Sequence, residues 1–143
     1  MKKTTSLILA VVMIITMFST AALTCSAEEP TPRLSNLNEC SLSFVIDSGK
    51  AHVAVAYTGM VDTFTQIKAT VKIQKRFLMV FWNDVDIGEP NNEWVATSTD
   101  SDGCLIGEFD ITKSGTYRAV FTIEVYGTGG EVDVIEDTIG CTY

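Results

Sequence analysis

The stretch that most constrains the fold of this chain is Gly115 to Gly127, GTYRAVFTIEVYG, in which apolar and polar residues alternate. Extended backbone places every second side chain on the same side. One side then carries only apolar or aromatic residues, Tyr117, Ala119, Phe121, Ile123 and Val125, and on the other side Val120 is the sole aliphatic residue. A helix would distribute these residues around its circumference, so the pattern predicts a long strand with one buried and one solvent-exposed face.

The same period of two recurs along most of the chain. It predicts strands at Leu42–Ile46, Ala51–Tyr57, Ile67–Ile73 and Leu105–Ile111, and a short edge strand at Trp94–Thr99. Segments rich in Gly, Asp and Ser at 47–49, 100–103, 112–115 and 127–130 are typical of turns, and the first two strands form a predicted hairpin. Seven or eight such strands predict an all-β protein, an antiparallel immunoglobulin-like β-sandwich in which Gly115–Gly127 is central.

Two segments depart from simple alternation. Residues 77–82, FLMVFW, are apolar on both faces, which predicts a fully buried strand or one at a sheet corner, followed by a loop at 83–93. In the last segment, Glu131 to Tyr143, the apolar positions shift from Val132 and Val134 to Ile135 and Ile139. Such a change of parity predicts a β-bulge.

The N-terminus has the features of a secretory signal peptide: Lys2 and Lys3, an apolar run, and the small residues Cys25-Ser26-Ala27 before Glu28. We expect cleavage after Ala27, a signal peptide at 1–27, an extended leader at 28–40 and one sandwich domain at 41–143. Two alternatives remain open: a retained membrane anchor, and processing as a lipoprotein with a lipid on Cys25. The predicted localisation is secreted or extracellular, with association with the cell surface as an option.

The net charge restricts the partners that the protein can bind, and the cysteine content restricts the disulfides and metal sites that it can form. The chain has a net charge of −8, and loss of Lys2 and Lys3 makes the remainder more acidic, which argues against nucleic-acid binding. Cleavage leaves three cysteines, Cys40, Cys104 and Cys141, which allow one disulfide with an undetermined pairing or three reduced thiols. No Cys and His spacing typical of zinc occurs, and the sequence predicts no metal and no cofactor.

Catalytic groups are few. His52 is the only histidine and lies in the middle of a predicted strand without a nucleophile motif. Carboxylate pairs occur at Asp84/Asp86, Asp100/Asp102 and Glu108/Asp110, but a small sandwich has little chain from which to build a cleft around them. We therefore predict a protein that is not an enzyme, with a small carboxylate-dependent hydrolase as an alternative.

A cluster of cations defines the candidate binding site. Lys68, Lys72, Lys75 and Arg76 lie within nine residues, and Arg118 lies on the central strand predicted to be their neighbour. Trp82 and Trp94 flank the 83–93 loop, where indole rings can stack on sugars. These seven residues form a predicted ligand-binding surface for an anionic wall polymer, a glycan or a protein. The alternative is a solvated strand face with a cross-strand Lys-Glu pair and tryptophans packed over the core edge.

Several short motifs carry a resemblance to known proteins. Gly115-Thr116-Tyr117-Arg118-Ala119 resembles the Gly-x-Tyr-x-Cys element of immunoglobulin-like strand F, with Ala119 in the place of the cysteine. The chain also resembles a family of small secreted proteins of Gram-positive bacteria, a domain-of-unknown-function family, in Pro32-Arg33, Gly49-Lys50-Ala51, Ile73–Arg76, Trp82, Gly115–Arg118 and Tyr143. The resemblance implies a secreted β-sandwich whose Tyr117 hydroxyl caps the preceding turn, and it implies no activity.

The sequence therefore predicts a secreted, non-catalytic binding module whose ligand it does not identify. The first alternative is a structural module of the cell envelope without a specific ligand.

Overall fold

A computed structural model describes residues 34–143; the predicted signal peptide and the first part of the predicted leader, residues 28–33, lie outside this part of the chain. Its elements are eight strands, β1 (Leu37–Asp47), β2 (Lys50–Gly59), β3 (Phe64–Phe77), β4 (Phe81–Asp84), β5 (Glu93–Ser98), β6 (Asp102–Asp110), β7 (Thr116–Gly127) and β8 (Val132–Thr142), and a 3₁₀ turn at Pro90–Asn92. Residues 34–143 contain no α-helix. None of their segments forms an apolar helix of membrane-spanning length. The prediction of an all-β protein is confirmed.

The strands form two antiparallel sheets. One has three strands in the order β1-β2-β6. The other has five: β4-β3-β7-β8, with β5 pairing with β3 on the same side as β4. Strand β7 pairs with both β3 and β8 over almost its full length, as the uninterrupted alternation of Gly115–Gly127 predicts for a central strand.

One hydrophobic core is shared by the two sheets. Fully buried side chains come from every second residue of the long strands, with Val53 and Val55 on β2, Ile67 to Ile73 on β3, and Ala119 to Val125 on β7. Contacts between the sheets include stacked Tyr57 and Phe64 rings and an edge-to-face pair of Trp94 and Phe109. Burial of these apolar faces is the main force that holds the sheets together.

One strand boundary and the pairing of the last strand differ from the predictions. Strand β1 begins at Leu37, inside the predicted leader, and this leucine is almost fully buried. The bulge predicted for the last segment is wrong, because β8 pairs with β7 without any register shift from Val132 to Thr142. Val132 and Val134 face solvent, whereas Asp133, Ile135 and Ile139 lie on the inner side, so the change of parity comes from two exposed valines and not from a bulge.

Asp133 and Asn36 are buried polar residues that link two strands, and we call this arrangement the Asn36–Asp133 clasp. The Asp133 carboxylate accepts hydrogen bonds from the backbone N–H groups of Ser35, at 2.9 and 3.0 Å, and of Asn36, at 2.6 Å. The Asn36 side-chain amide donates to the backbone carbonyl of Glu131 at 2.9 Å. A side chain at Gly127 would collide with that amide, so glycine is required there. The clasp joins the start of β1 to β8, across the two sheets.

The segment FLMVFW is neither a buried strand nor a sheet corner, and this prediction is wrong. Phe77 and Phe81 pair across a hairpin, and the residues between them reverse the chain from β3 into β4. All five residues from Phe77 to Phe81 are more than half exposed. The apolar composition therefore belongs to a turn, which sequence rules assign to Gly, Asn and Asp.

The three cysteines of the described chain are all free thiols. Cys40 and Cys104 lie on β1 and β6, on opposite sides of β2, and Cys141 is on β8 in the other sheet. None of the three possible disulfide pairings is formed. Burial raises the pKa of the Cys40 thiol, which favours its protonated, unreactive form at neutral pH.

Candidate functional site

The predicted basic stripe lies on the outer face of the five-stranded sheet, and two of its lysines are neutralised there. The Lys68 ammonium donates to the Glu124 carboxylate at 2.7 Å, across the β3–β7 pair that places these residues opposite each other. The Lys72 ammonium lies 3.0 Å from the carboxylate of Glu93, its register partner on β5. These are the cross-strand pairs of the alternative interpretation, and they leave no uncompensated positive stripe at these lysines.

The pKa values agree with this pairing. The hydrogen bond from Lys68 lowers the pKa of Glu124, and the same bond raises the pKa of Lys68. The hydrogen bond to Glu93 likewise raises the pKa of Lys72. Lys68 and Glu124 thus each favour the charged form of the other, and the carboxylate of Glu93 favours the charged form of Lys72.

The other predicted cations have different surroundings. The Arg118 guanidinium stacks on the Trp82 ring, 4.3 Å from its centroid, and donates through Nε to the Gln74 side chain at 2.8 Å. Arg76 donates through Nε to the backbone carbonyl of Met79 at 2.7 Å. Lys75 points to the opposite face of the sheet, where its ammonium lies 5.4 Å from the centroid of the Tyr117 ring.

The indole of Trp94 lies on the inner face of the five-stranded sheet, away from the predicted cations of the outer face. Trp94 is the register partner of Val71, which is fully buried, so its indole points inward from β5. There it packs edge-to-face on Phe109 and against Gly107, where an added side chain would collide with the ring. Trp82 is the register partner of Arg76 and lies on the outer face, so the two tryptophans are separated by the sheet.

The apolar end of the β3–β4 hairpin is the main surface feature that the sequence analysis missed. Its five side chains, here the hairpin tip, are exposed to these fractions: Phe77 53%, Leu78 68%, Met79 79%, Val80 72% and Phe81 60%. No other exposed large hydrophobic residues in 34–143 are adjacent in sequence. Isolated exposed apolar residues are common on soluble proteins, but a contiguous apolar patch is typical of an interaction site.

The backbone of the tip is also unusual. Leu78 and Met79 have φ angles of 48° and 62°, in the left-handed region that side chains of their type disfavour. An Asn-Gly pair would adopt these angles at less cost. Strained backbone that carries exposed apolar side chains is typical of a site retained for contact rather than for stability.

The hairpin projects from the body of the sheet. The last register pair of β3 with β7 is Lys75 with Tyr117, and β3 continues through Arg76 and Phe77 with only β4 beside it. At about 3.3 Å per residue, the tip reaches roughly 10 Å beyond that last pair. Its apolar side chains therefore reach a partner before the rest of the sheet does.

The cations of the described chain fall into two groups. Lys50, Lys68 and Lys72 form ion pairs with carboxylates. The remaining four lysines and arginines of residues 34–143 have no carboxylate within ion-pair distance in this part of the chain: Lys75, Arg76, Lys113 and Arg118. Three of these four, all but Arg118, line an open hollow of about 450 Å³ at the base of the hairpin, and three carboxylates line it as well, Asp84, Asp86 and Asp110.

Tyr117 holds one wall of this hollow. Its hydroxyl donates to the backbone carbonyl of Lys113, in the turn that precedes β7, and its ring is buried. This hydrogen bond is the cap that the Gly-x-Tyr resemblance implies. It fixes the 111–115 turn beside the hairpin, and with it the backbone position of Lys113.

The candidate catalytic groups lie on open surfaces. His52 is on the outer face of the three-stranded sheet, with Nδ1 3.5 Å from Glu108 and with 44% of its side chain exposed. Glu108 and Asp110 both pair with Lys50, while Asp84 accepts a hydrogen bond from Gln74. Asp100 and Asp102 flank the exposed β5–β6 turn. Among residues 34–143 no group of three Cys, His, Asp or Glu side chains has the proximity needed to bind a metal ion.

Comparison with known proteins identifies no relative: no family model matches the chain, and no curated protein matches it significantly.

Proposed function

We propose that this protein is a secreted, non-catalytic binding module of immunoglobulin-like architecture that engages its partner through the hairpin tip. The strand order supports the architecture. The orders β1-β2-β6 and β8-β7-β3 correspond to A-B-E and G-F-C of an immunoglobulin-like sandwich, and the Tyr117 hydroxyl bond corresponds to its tyrosine corner. Secretion is supported by the signal-like residues 1–27.

One observation carries the proposed function: five consecutive apolar side chains project into solvent on a backbone that costs stability. An unused turn at this position would favour polar residues that tolerate left-handed angles, because they would lower the energy of the folded state. Exposed apolar residues gain free energy only when a partner removes them from water. The hairpin tip therefore has the properties of a contact surface.

Anionic polymer binding through Lys68 and Lys72 has weaker support than binding through the tip. Both lysines already have a carboxylate partner within 3.0 Å. A polyanion would have to compete with Glu124 and Glu93 for them, and its approach would be opposed by the same two carboxylates.

An array of immobilised glycans, purified wall polymers, phospholipids and proteins tests this function. The parent chain is expected to bind one class selectively, and Leu78→Ala/Met79→Ala is expected to lose that binding by at least about tenfold, because two large side chains no longer leave water. The matched control is Val132→Ser/Val134→Ser, which removes two exposed apolar side chains from β8.

The control is expected to bind like the parent chain. Selective binding that survives the tip substitutions would contradict the role of the tip. If the parent chain binds none of the classes selectively, the binding function itself is contradicted and a purely structural module is favoured.

A further inference from the structure

We infer that the partner of the hairpin tip is a lipid bilayer surface with anionic headgroups, an inference that rests on the proposed function. The tip is convex and entirely apolar in its side chains. A bilayer accepts such a projection without a preformed pocket, whereas a protein partner gains specificity from polar groups that the tip does not offer.

The backbone of the tip is partly prepared for an apolar environment, where unpaired peptide groups are costly. The Val80 N–H donates to the Phe77 carbonyl at 3.3 Å across the turn. The Met79 carbonyl, at the most exposed residue of the tip, accepts the bond from the Arg76 side chain. Arg76 thus provides the hydrogen bond that the Met79 carbonyl needs. The same contact places the guanidinium charge just behind the tip.

The order of residues behind the tip matches the order of layers in a membrane. The apolar pair Phe77 and Phe81 comes first, and the next register pair is Arg76 with Trp82. Tryptophan and cations are the residue types that occupy the interface between the hydrocarbon and the headgroups. The Arg76 and Trp82 pair lies only a few residues behind the end of the tip. This distance fits a shallow insertion of about 5–10 Å and not a segment that spans a membrane.

Charge favours anionic headgroups at this level. The carboxylate closest to the tip along the hairpin is Asp84, the register partner of Gln74, three pairs behind Phe77 and Phe81. The unpaired cations Arg76 and Lys75 lie one and two pairs behind. The net-negative body of the chain lies farther back and would oppose approach by any other face.

Vesicles of phosphatidylcholine, with and without phosphatidylglycerol, test this inference by flotation and by tryptophan fluorescence. The parent chain is expected to bind the anionic vesicles and to show a blue shift in emission that disappears in Trp82→Phe. Leu78→Ala/Met79→Ala is expected to weaken binding to both kinds of vesicle by at least about tenfold.

Two variants with the same change in net charge test whether the hairpin cations attract the anionic headgroups. Lys75→Gln/Arg76→Gln is expected to weaken binding to anionic vesicles by roughly 25-fold, since each cation near such a surface contributes about fivefold. Lys68→Gln/Lys72→Gln makes the same change in net charge at lysines that are already paired, and binding is expected to stay within about twofold. Equal losses in the two variants would overturn the assignment of the hairpin cations.

Failure of this inference is distinguishable from failure of the proposed function. If vesicles are not bound while the array shows binding to a glycan or a protein that requires the tip, the bilayer assignment is wrong and the binding function stands. If analytical ultracentrifugation shows a dimer that Leu78→Ala/Met79→Ala dissociates, a second copy of the chain is the partner and the bilayer assignment is likewise overturned.

Discussion

At the scale of single residues, the Asn36–Asp133 clasp shows how a buried polar group can organise a β-protein. Asp133 stands among apolar neighbours on β8, and its carboxylate accepts three hydrogen-bond contacts from two backbone N–H groups at the start of β1. A buried carboxylate is tolerated only when such donors replace water. The clasp therefore specifies which end of β1 lies beside β8.

We expect Asp133→Ala to destabilise the protein by about 2–3 kcal/mol, because it leaves the Ser35 and Asn36 N–H groups without acceptors. Urea unfolding at neutral pH measures this change. Asp137→Ala on the same strand is the control, because Asp137 is exposed and its effect should stay within about 0.5 kcal/mol. Equal stability of the Asp133→Ala variant and the parent would show that the clasp contributes nothing.

The Lys68–Glu124 pair predicts a pH dependence with a definite sign. The pKa of Glu124 is lowered from 4.5, so its contribution to stability is complete above that value and is lost as pH falls through the lowered pKa. The pKa of Lys68 is raised from 10.5, so its contribution is complete below that value and is lost as pH rises through the raised pKa. The ionic interaction of Lys68 with Glu124 is thus expected to stabilise the folded state between about pH 5 and 10.

A double-mutant cycle with Lys68→Gln and Glu124→Gln, followed by thermal unfolding across pH, measures this coupling. The expected coupling is small, because both groups are accessible to water. A coupling that is unchanged below pH 3 would mean that the two side chains do not interact as ions.

At the scale of elements, the β3–β4 hairpin combines an unfavourable turn with an apolar surface. Leu78 and Met79 occupy left-handed angles that cost roughly 1–2 kcal/mol per residue relative to residues suited to them. The neighbouring strands tolerate this cost because β3 is held by β7 along its inner length, independently of the turn.

We expect Leu78→Asn/Met79→Gly to raise the free energy of unfolding by about 2–4 kcal/mol, because the two new residues accept left-handed angles that cost Leu and Met roughly 1–2 kcal/mol each. The matched control is Leu78→Ala/Met79→Ala, which removes the same exposed apolar surface and keeps the strain, so its stability should stay within about 0.5 kcal/mol of the parent. Urea unfolding distinguishes them. A loss of stability in the Asn/Gly variant would show that the apolar turn serves the fold itself.

At the scale of the whole molecule, two sheets share one core, and the exposed apolar residues of the hairpin lie at one end of it. The β1–β2 turn, the β6–β7 turn and the β3–β4 hairpin all connect strands at the same end, because β1, β3 and β6 run in one direction and β2, β4 and β7 in the other. The hairpin alone carries an apolar run there, and the hollow beside its base is lined by three cations and three carboxylates. A single end of the domain thus holds the features on which both proposals depend.

The sequence by itself determined the body of the fold. Alternation in Ala51–Tyr57, Ile67–Ile73 and Gly115–Gly127 is a local property of extended chain, so it identified the strands β2, β3 and β7 and their buried faces. The capping role of Tyr117 followed from a short local motif. Each of these features needs only the residue and its close neighbours in sequence.

Only the tertiary structure decided which apolar residues are buried at the edges and which charges are free. FLMVF has the composition of a buried strand, and pairing of Phe77 with Phe81 made it an exposed turn. Trp94 points inward because it is paired opposite Val71, and Lys68 is neutralised because it is paired opposite Glu124. Register relates residues that are far apart in the chain, and a shift of one residue would reverse every one of these orientations.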